Sequence, residues 1–199
     1  LLGPVLRIGL HVPAEDRKKW DKRYGALDPY GETPSGVLTR HESLLPSTGN
    51  ALDLAGGNGR HACWLAERGM EVTIADISSK GLERARRRAE STGLQIQYLQ
   101  MDLEADPFPT GPWSLVLSCL YLWRPLIPAA ISHLSPGGLL VILQPTVTNL
   151  ERHTRPPRKY LLQEDELLSL ARGLEIVHHE QGWLDDGRHD AFLVARKTP

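Results

Sequence analysis

The stretch Ala51-Leu52-Asp53-Leu54-Ala55-Gly56-Gly57-Asn58-Gly59-Arg60-His61-Ala62 determines the fold of this 199-residue chain. Its apolar start, 51–55, predicts a buried strand that carries one acid, Asp53. Glycines then crowd a turn, and residues 61–68 predict a helix with an apolar inner side. Glycines let a ligand approach the backbone, and unpaired N–H groups at a helix start attract negative charge. Together these elements predict a nucleotide-type site.

Two further acids follow at the ends of predicted strands. Asp76 closes the apolar run 71–75 and lies 23 positions after Asp53. An acid at the tip of the second strand can accept hydrogen bonds from a ribose diol. Asp102 closes the third run, 95–101, where an adenine ring would lie. Three strand-end acids around one glycine turn are a more specific signal than the turn alone.

This pattern resembles the class I S-adenosylmethionine-dependent methyltransferases: Asp-x-Ala-x-Gly-x-Gly over 53–59, then Asp76, then Asp102. The resemblance extends from about Trp20 to Arg196. Within the class, Trp20-Asp21-Lys22-Arg23-Tyr24 and Gly59-Arg60-His61-Ala62 are most similar to the small tellurite-resistance and thiol-methylating branch. The class implies S-adenosylmethionine as the cofactor and methyl donor.

The resemblance also implies roles for individual residues. The turn 56–59 would contact the methionine part of the donor, Asp76 its ribose hydroxyls, and Asp102 its adenine amino group. Trp20 and Tyr24 lie four positions apart, on one face of a helix that would cover the methionine end; core packing is the alternative. The complete set of cofactor-binding residues expected in this way is Trp20, Tyr24, Asp53, Ala55, Gly56, Gly57, Asn58, Gly59, Asp76, Ile77, Asp102, Leu103 and Cys119.

Candidates for contact with the methyl acceptor follow the fourth strand, in the segment 118–125. Tyr121 and Arg124 are acceptor-contact candidates there, and with Tyr24 they form the predicted catalytic set; ordinary helix-entry packing explains them equally well. A thiol or chalcogen acceptor needs little base catalysis, because its anion is accessible near neutral pH. An oxygen acceptor would need a base, for which Tyr24, Tyr121 or His61 is available.

Alternation of strands and helices with a final hairpin predicts an α/β, doubly wound, mostly parallel sheet. The resemblance implies a Rossmann-like fold of seven strands with a closing antiparallel hairpin. We expect helices over 14–24, 37–45, 78–91 and 161–171, and one after Pro125. The later strands are expected at 113–118, 139–144, 174–178 and 191–195, with a turn over 135–138. An N-terminal arm and lid helix, 1–36, would precede the donor-binding domain, 37–199.

Composition excludes several other classes of protein. Acidic and basic residues nearly balance, with a formal net charge of −1, so nucleic acid and anionic membrane are not favoured partners. No apolar run reaches the length of a membrane span. The two cysteines do not form a disulfide or zinc spacing, and a reducing cytoplasm fits them. The eight histidines show no metal-ligand spacing, so we expect no metal site.

Two alternative functions remain open from the sequence. Gly57-x-Gly59-x-x-Ala62 also matches the fingerprint of an NAD(P)-binding oxidoreductase. A cofactor-binding protein without catalytic activity would carry the same glycine turn. The basic segment 151–160 could meet an anionic small-molecule acceptor, or it could be a solvated loop. The sequence does not define the acceptor or the oligomeric state.

Overall fold

The computed structural model describes residues 13–26 and 28–198 of the chain. The arm expected over residues 1–12 lies outside the described residues. Within the described ranges, no helix is both long enough and apolar enough to cross a membrane.

Six helices and seven strands form the described part of the chain. The helices are α1 (Pro13–Ala26), α2 (Gly36–Arg40), α3 (Arg60–Glu67), α4 (Ser79–Thr92), α5 (Leu126–Ser132) and α6 (Glu166–Leu170). The strands are β1 (Asn50–Leu54), β2 (Glu71–Asp76), β3 (Ile96–Gln100), β4 (Trp113–Cys119), β5 (Leu134–Pro145), β6 (Glu175–Trp183) and β7 (His189–Arg196). Short 3₁₀ helices cover Glu42–Leu44, Val147–Glu151 and Arg158–Tyr160.

The strands form one seven-stranded sheet in the order β3-β2-β1-β4-β5-β7-β6. β1 to β5 pair in parallel, and β7 is antiparallel to both β5 and β6. The predicted fold class, a doubly wound α/β sheet with a closing antiparallel hairpin, is confirmed. The strand order reverses between β1 and β4, and open α/β sheets bind ligands at the carboxyl ends of strands at such a point.

The core has two layers because successive strand residues face opposite sides of the sheet. In β4, Leu115, Leu117 and Cys119 belong to the layer under α2, α3 and α4. Val116 between them belongs to the layer with α5 and α6. Covering both faces explains why the central parallel strands β1 and β4 are buried along almost their whole length.

The packing of α1 depends on the first turn of α4. Ser78 caps α4, its hydroxyl accepting the Gly81 N–H at 3.0 Å, and Gly93 ends the helix with φ 72°. The Asp21 carboxylate of α1 accepts hydrogen bonds from the Ser78 hydroxyl at 2.7 Å and the Lys80 N–H at 3.0 Å. An acid near the unpaired N–H groups of a helix start is favourable, so α1 is held where α4 begins.

The turn predicted over 135–138 is wrong, because these residues lie within β5. The Gly137 N–H donates to the Lys197 carbonyl at 2.8 Å, and the Lys197 N–H donates to the Gly138 carbonyl at 2.9 Å. Gly137 has φ 76°, and the register with β4 shifts between Trp113 and Leu115. The Pro-Gly-Gly sequence therefore produces an irregularity inside a strand, stabilised by backbone pairing with the end of the chain.

Two helices predicted from apolar spacing are shorter than expected. The helix predicted over 37–45 ends at Arg40 and is followed by the 3₁₀ turn Glu42–Leu44. Of the helix predicted over 161–171, only Glu166–Leu170 forms. Leu162 is fully buried and forms a parallel bridge to Thr146, so its apolar character reflects pairing beside β5. Leu168, within this short helix, is 39% exposed.

Replacing Asp21 with Ala should loosen α1, because the first turn of α4 loses its carboxylate partner. A partly exposed hydrogen-bonded charge of this kind contributes about 1 kcal/mol, which corresponds to a fall in Tm of about 2–4 °C for a domain of this size. Hydrogen–deuterium exchange should increase over 13–26. Glu15→Ala, an exposed acid on the same helix, is the control. Unchanged exchange in Asp21→Ala would contradict this account.

Candidate functional site

The candidate site lies at the carboxyl ends of β1 and β4, where the strand order reverses. Two non-glycine residues there adopt left-handed backbone conformations: Ala55 directly after β1, with φ 53°, and Leu120 directly after β4, with φ 60°. Such conformations persist only where the surrounding structure enforces them, and they cluster at binding sites. Backbone strain at both central strand ends therefore marks the same place as the glycine turn.

At each of the three glycines of the turn, a side chain would collide with a different neighbouring residue. A Cβ on Gly56 would lie 2.6 Å from an Asp53 carboxylate oxygen, and one on Gly59 would lie 2.7 Å from the Ala85 Cβ. These two glycines let the turn pack on the protein's own strand and helix. A Cβ on Gly57, which has φ 54°, would lie 2.0 Å from the Tyr24 hydroxyl oxygen. Gly57 thus faces outward from the sheet edge, towards α1.

Asp76 connects the glycine turn to the start of α4. One carboxylate oxygen accepts the Gly57 N–H at 2.8 Å, and the other accepts the Ser78 N–H at 2.7 Å. Burial raises the pKa of Asp76 to about 6, although these two hydrogen bonds lower it in part. Each oxygen keeps a second lone pair, which is what a bound diol would need.

Asp53 is a buried acid beneath the turn. The residue is 1% exposed, and neither carboxylate oxygen makes a hydrogen bond of ordinary geometry within the described residues. Burial, followed by the charge of Asp76, raises its pKa to about 7; Arg60 and the backbone amide of Ala62 lower it to a smaller extent. A buried carboxylate without a partner is costly unless a cation approaches it. The site is therefore suited to a positively charged ligand.

Asp102 lies at the opposite side of the site, after β3. Its carboxylate accepts the Glu104 N–H at 2.9 Å, and its own N–H donates to the Asp106 carboxylate at 2.8 Å. The Met101 N–H donates to the Asp76 carbonyl at 3.0 Å, which fixes the end of β3 against the end of β2. The neighbouring candidates Ile77 and Leu103 are half-buried and buried, respectively.

α1 brings two aromatic candidates to the glycine turn. Tyr24 is buried, and its ring lies 6.0 Å from that of Trp20, centroid to centroid. Burial, then the charge of Asp76, raises the pKa of Tyr24 well above its usual value. The phenol therefore stays protonated at neutral pH and acts as a hydrogen-bond donor rather than a base.

The loop that follows α1 also packs on the glycine turn, which the sequence analysis missed. The Asn58 side-chain amide donates to the Asp28 carboxylate at 2.5 Å and to the Gly31 carbonyl at 2.8 Å. The Arg60 guanidinium donates to the Tyr30 carbonyl at 3.1 Å and lies over the Tyr30 ring at 5.5 Å. The available signal was an aromatic residue within the turn-rich sequence Asp28-Pro29-Tyr30-Gly31.

Tyr30 is half-buried, and the guanidinium groups of Arg23 and Arg60 each lie 5.5 Å from the centroid of its ring. Burial raises its pKa, while Arg23 and Arg60 lower it. Because the loop that carries Tyr30 packs on the glycine turn, Tyr30 is a further candidate for contact with a ligand at this edge.

Tyr121 and Cys119 belong to the same edge. Tyr121 is half-buried, and its hydroxyl has no hydrogen-bond partner in the described structure. Burial raises the Tyr121 pKa strongly, with further contributions from Glu104, Asp102 and Asp76. Burial also raises the pKa of the Cys119 thiol to about 12. Cys119 therefore stays a thiol near neutral pH and is not a nucleophile.

Two further candidates are engaged inside the protein. Arg124 forms an ion pair with Glu166 and donates to the Leu161 carbonyl at 2.9 Å and the Lys159 carbonyl at 3.3 Å. Its guanidinium therefore anchors the segment 159–161. Contact of Arg124 with an acceptor stays a prediction. His61 accepts the Ser35 N–H at 3.3 Å, and burial lowers its pKa to about 3. It is therefore neutral and tied to the start of α2.

A basic cavity of about 480 Å³ lies beside the carboxyl end of β5. Arg152, Arg155 and Arg188 line it, within and beside the segment predicted to be basic. The Arg152 guanidinium lies 3.7 Å from the centroid of the Trp183 ring, so this arginine is held rather than fully solvated. Arg188 pairs with Asp186 at 3.0 Å and Asp190 at 3.3 Å.

This sheet order, with a glycine turn and acids at the ends of β1, β2 and β3, defines a domain of the class I S-adenosylmethionine-dependent methyltransferase type. Residues 51–138 match the family described as "Methyltransferase domain". The match covers the glycine turn, the three acids and β4.

Individual proteins show the same relationship. Demethylmenaquinone methyltransferase from Thermus thermophilus is 38% identical over 100 residues, which are 47% of this chain and 46% of that protein. Among solved structures, TehB from Haemophilus influenzae has a TM-score of 0.70 at 19% identity, covering 92% of this chain and 67% of TehB. N-methyltransferase NodS from Bradyrhizobium japonicum, in complex with S-adenosyl-L-homocysteine, has a TM-score of 0.71 at 18% identity, covering 92% and 98% of the two chains.

These similarities have a defined extent. The matched part spans less than half the length of the sequence relatives. The likeness to TehB and NodS concerns the fold. S-adenosylmethionine is the cofactor of this class, and the residues present fit it, because among the described residues nothing makes an ordinary hydrogen bond to the buried Asp53 carboxylate directly beneath the turn.

Gly57→Ala should destabilise the protein through its contact with Tyr24. The new Cβ would displace the phenol, at about 1–3 kcal/mol, in addition to the strain of a left-handed alanine. Gly93→Ala is the matched control, because Gly93 also has a positive φ but open space around its Cα. Thermal unfolding should show a larger fall in Tm for Gly57→Ala, and a Tyr24→Ala background should remove the excess. Equal effects at both glycines would refute the contact.

The raised pKa of Asp53 predicts how stability changes with pH. Because the folded pKa, about 7, lies above the ordinary value, 3.8, the unfolded chain releases its proton first. The stability linked to Asp53 is complete below the ordinary pKa and is lost as pH rises through the folded pKa. Asp53→Asn should therefore reduce the loss of unfolding free energy between pH 5 and 8 by about 2–3 kcal/mol, which thermal unfolding would show as a smaller fall in Tm. Parallel pH profiles would contradict this assignment.

Proposed function

We propose that the chain catalyses methyl transfer from S-adenosylmethionine to a small-molecule acceptor. The observation that carries this proposal is the Asp53 carboxylate, which is buried beneath the glycine turn and receives no hydrogen bond of ordinary geometry from the residues that the structure describes. S-adenosylmethionine carries an ammonium and a sulfonium group, and a cation near Asp53 and Asp76 would favour their charged forms. The family match over 51–138 supports the same donor.

Each part of the donor would be held by a different group of site residues. The backbone of Gly56, Gly57, Asn58 and Gly59 would hold its methionine part, Asp76 its ribose and Asp102 its adenine. Trp20 and Tyr24 would cover the methionine end, which supports treating 1–36 as an arm and lid helix and 37–199 as the donor-binding domain. Ala55, Ile77, Leu103 and Cys119 would complete the walls.

A dinucleotide is less well matched to the same turn. Its pyrophosphate carries negative charge, and the turn lies directly over Asp53, with Asp76 hydrogen-bonded to Gly57. Like charges at this distance oppose binding, and both carboxyls would have to stay protonated. The charge balance of the site therefore favours the cationic methyl donor over NAD(P).

The acceptor that fits best is a thiol or chalcogen nucleophile. The donor supplies an activated methyl group, so the protein must mainly hold the acceptor in line with it. Tyr24 and Tyr121 have raised pKa values, and His61 is neutral, buried and hydrogen-bonded, so none is poised as a general base. A soft anion needs no base. The likeness to TehB gives independent support to the tellurite-resistance and thiol-methylating branch.

An anionic acceptor would also suit the arginines beside β5. Arg152 and Arg155 lie at the carboxyl edge of the sheet, on the side of the predicted acceptor segment 118–125. Positive charge raises the local concentration of a small anion and speeds its approach. We expect a cytoplasmic enzyme, in line with two free, buried cysteines.

Calorimetric titration should show micromolar-scale binding of S-adenosylhomocysteine and none of NADH. Asp76→Ala should abolish binding, because the variant loses both the ribose acceptor and the bond that holds Gly57. Asp185→Ala, an exposed acid in the β6–β7 turn, is the control and should bind normally. Binding of NADH instead would overturn the proposed cofactor.

Transfer of a labelled methyl group separates an enzyme from a protein that only binds the donor. The test panel is small thiols, selenite, tellurite and phenols. Product with a thiol or chalcogen and a flat pH–rate profile would support the soft nucleophile. Methylation of phenols alone, with a bell-shaped profile, would exclude it. Binding without transfer to any acceptor of the panel would count against the proposed thiol or chalcogen chemistry.

A further inference from the structure

A second cluster of chemically reactive side chains lies away from the glycine turn, where α2 meets β6. His41 follows α2, and His178 and Glu180 lie on β6. One potential ligand atom from each residue falls within 4.8 Å of the other two. Sequence spacing could not reveal this arrangement, because His41 is far from the other two residues along the chain. The expectation of no metal-ligand arrangement considered only neighbouring histidines.

The distances within the cluster match a shared metal better than direct hydrogen bonds. One Glu180 carboxylate oxygen lies 3.5 Å from the His178 Nε2 and 3.7 Å from the His41 Nε2. Both distances exceed an ordinary N–H···O bond, whose mode is about 2.9–3.0 Å. Ligands of a tetrahedral metal with bonds of about 2.0–2.1 Å lie about 3.4 Å apart. A small movement of the side chains would bring all three atoms to this separation.

The imidazole of His41 is already oriented as a ligand. Its Nδ1 lies 2.9 Å from the Val37 carbonyl, so the proton belongs on Nδ1 and the Nε2 lone pair points towards Glu180. Metal-ligating histidines generally have their second nitrogen fixed in this way. The Nε2 of His178 is buried and has no hydrogen-bond partner within the described residues. Two imidazole nitrogens therefore face one carboxylate oxygen.

Three electron-rich atoms at these distances repel one another unless a cation lies between them. The rings of His41 and His178 are 4.4 Å apart, centroid to centroid, so one metal ion can reach both imidazole nitrogens together with the carboxylate. A hydrogen bond from one imidazole to Glu180 would satisfy only that one nitrogen.

We propose that His41, His178 and Glu180 bind a divalent transition-metal ion, represented by Zn²⁺. Two imidazoles and one carboxylate suit zinc, whereas Mg²⁺ and Ca²⁺ require oxygen ligands. The ion links the segment after α2 to the β6–β7 hairpin. Three protein ligands leave one coordination position for water or a small anion. Glu180 also lines a cavity of about 180 Å³, together with the buried carboxylate of Asp190.

Titration of the full chain, without an affinity tag, with ZnCl₂ tests the site. Calorimetry should show one ion per chain, and His178→Gln and Glu180→Gln should each weaken binding at least about 100-fold. His179→Gln is the matched control: His179 is the next residue on β6, and it pairs with Leu193, whose side chain belongs to the other core layer. This variant should bind zinc normally, and MgCl₂ should give no binding.

Thermal unfolding provides a second readout that does not depend on methyl transfer. At about 100 times the dissociation constant, zinc should raise Tm by about 5–10 °C in the wild type and His179→Gln. Glu180→Gln preserves side-chain size, so it should fold normally and show no zinc-dependent shift. Absence of zinc binding to the wild type, or binding that all three variants retain, would overturn the proposal.

Discussion

The arrangement of the site depends on the Asp76 carboxylate, which accepts one N–H from the glycine turn and one from the start of α4. These bonds hold together the ends of β1 and β2 and the first turn of α4. Asp21 then brings α1 to that same turn of α4. A single buried acid therefore positions the turn, a helix start and, through that start, the helix that covers the site. Its raised pKa reflects the burial that this position requires.

The sequence was informative where local chemistry determines structure. A glycine turn between an apolar strand and a helix, followed by acids at the next two strand ends, is a local pattern that tertiary contacts do not alter. The cap at Ser78 and the stop at Gly93 likewise act within one turn of helix. The number of strands and the antiparallel closing hairpin followed from resemblance. The order of the strands was not predicted, since strand spacing alone does not specify which strands are neighbours.

The features that the sequence did not predict depend on partners that are distant in the chain. The Pro-Gly-Gly segment enters β5 because Lys197 pairs with it, and Leu162 is apolar because it lies beside Thr146. Similarly, Arg124 pairs with Glu166, which lies more than forty residues further along the chain. Tyr30 was missed because loop residues have no periodicity from which their burial could be inferred. The spacing of apolar residues predicts on which face of a helix or strand a side chain lies, but not which residues pack against that face.

The contact between Tyr24 and Gly57 has a thermodynamic consequence. The free protein places its own phenol against the backbone that class I methyltransferases use for their donor. Tyr24 is in this sense an intramolecular competitor, because a ligand that approaches the Gly57 Cα from the side of α1 must first displace the phenol. The observed affinity is then the intrinsic affinity multiplied by the fraction of molecules in which Tyr24 has moved aside. Affinity for the donor in such a site depends on the position of a helix as well as on the shape of a pocket.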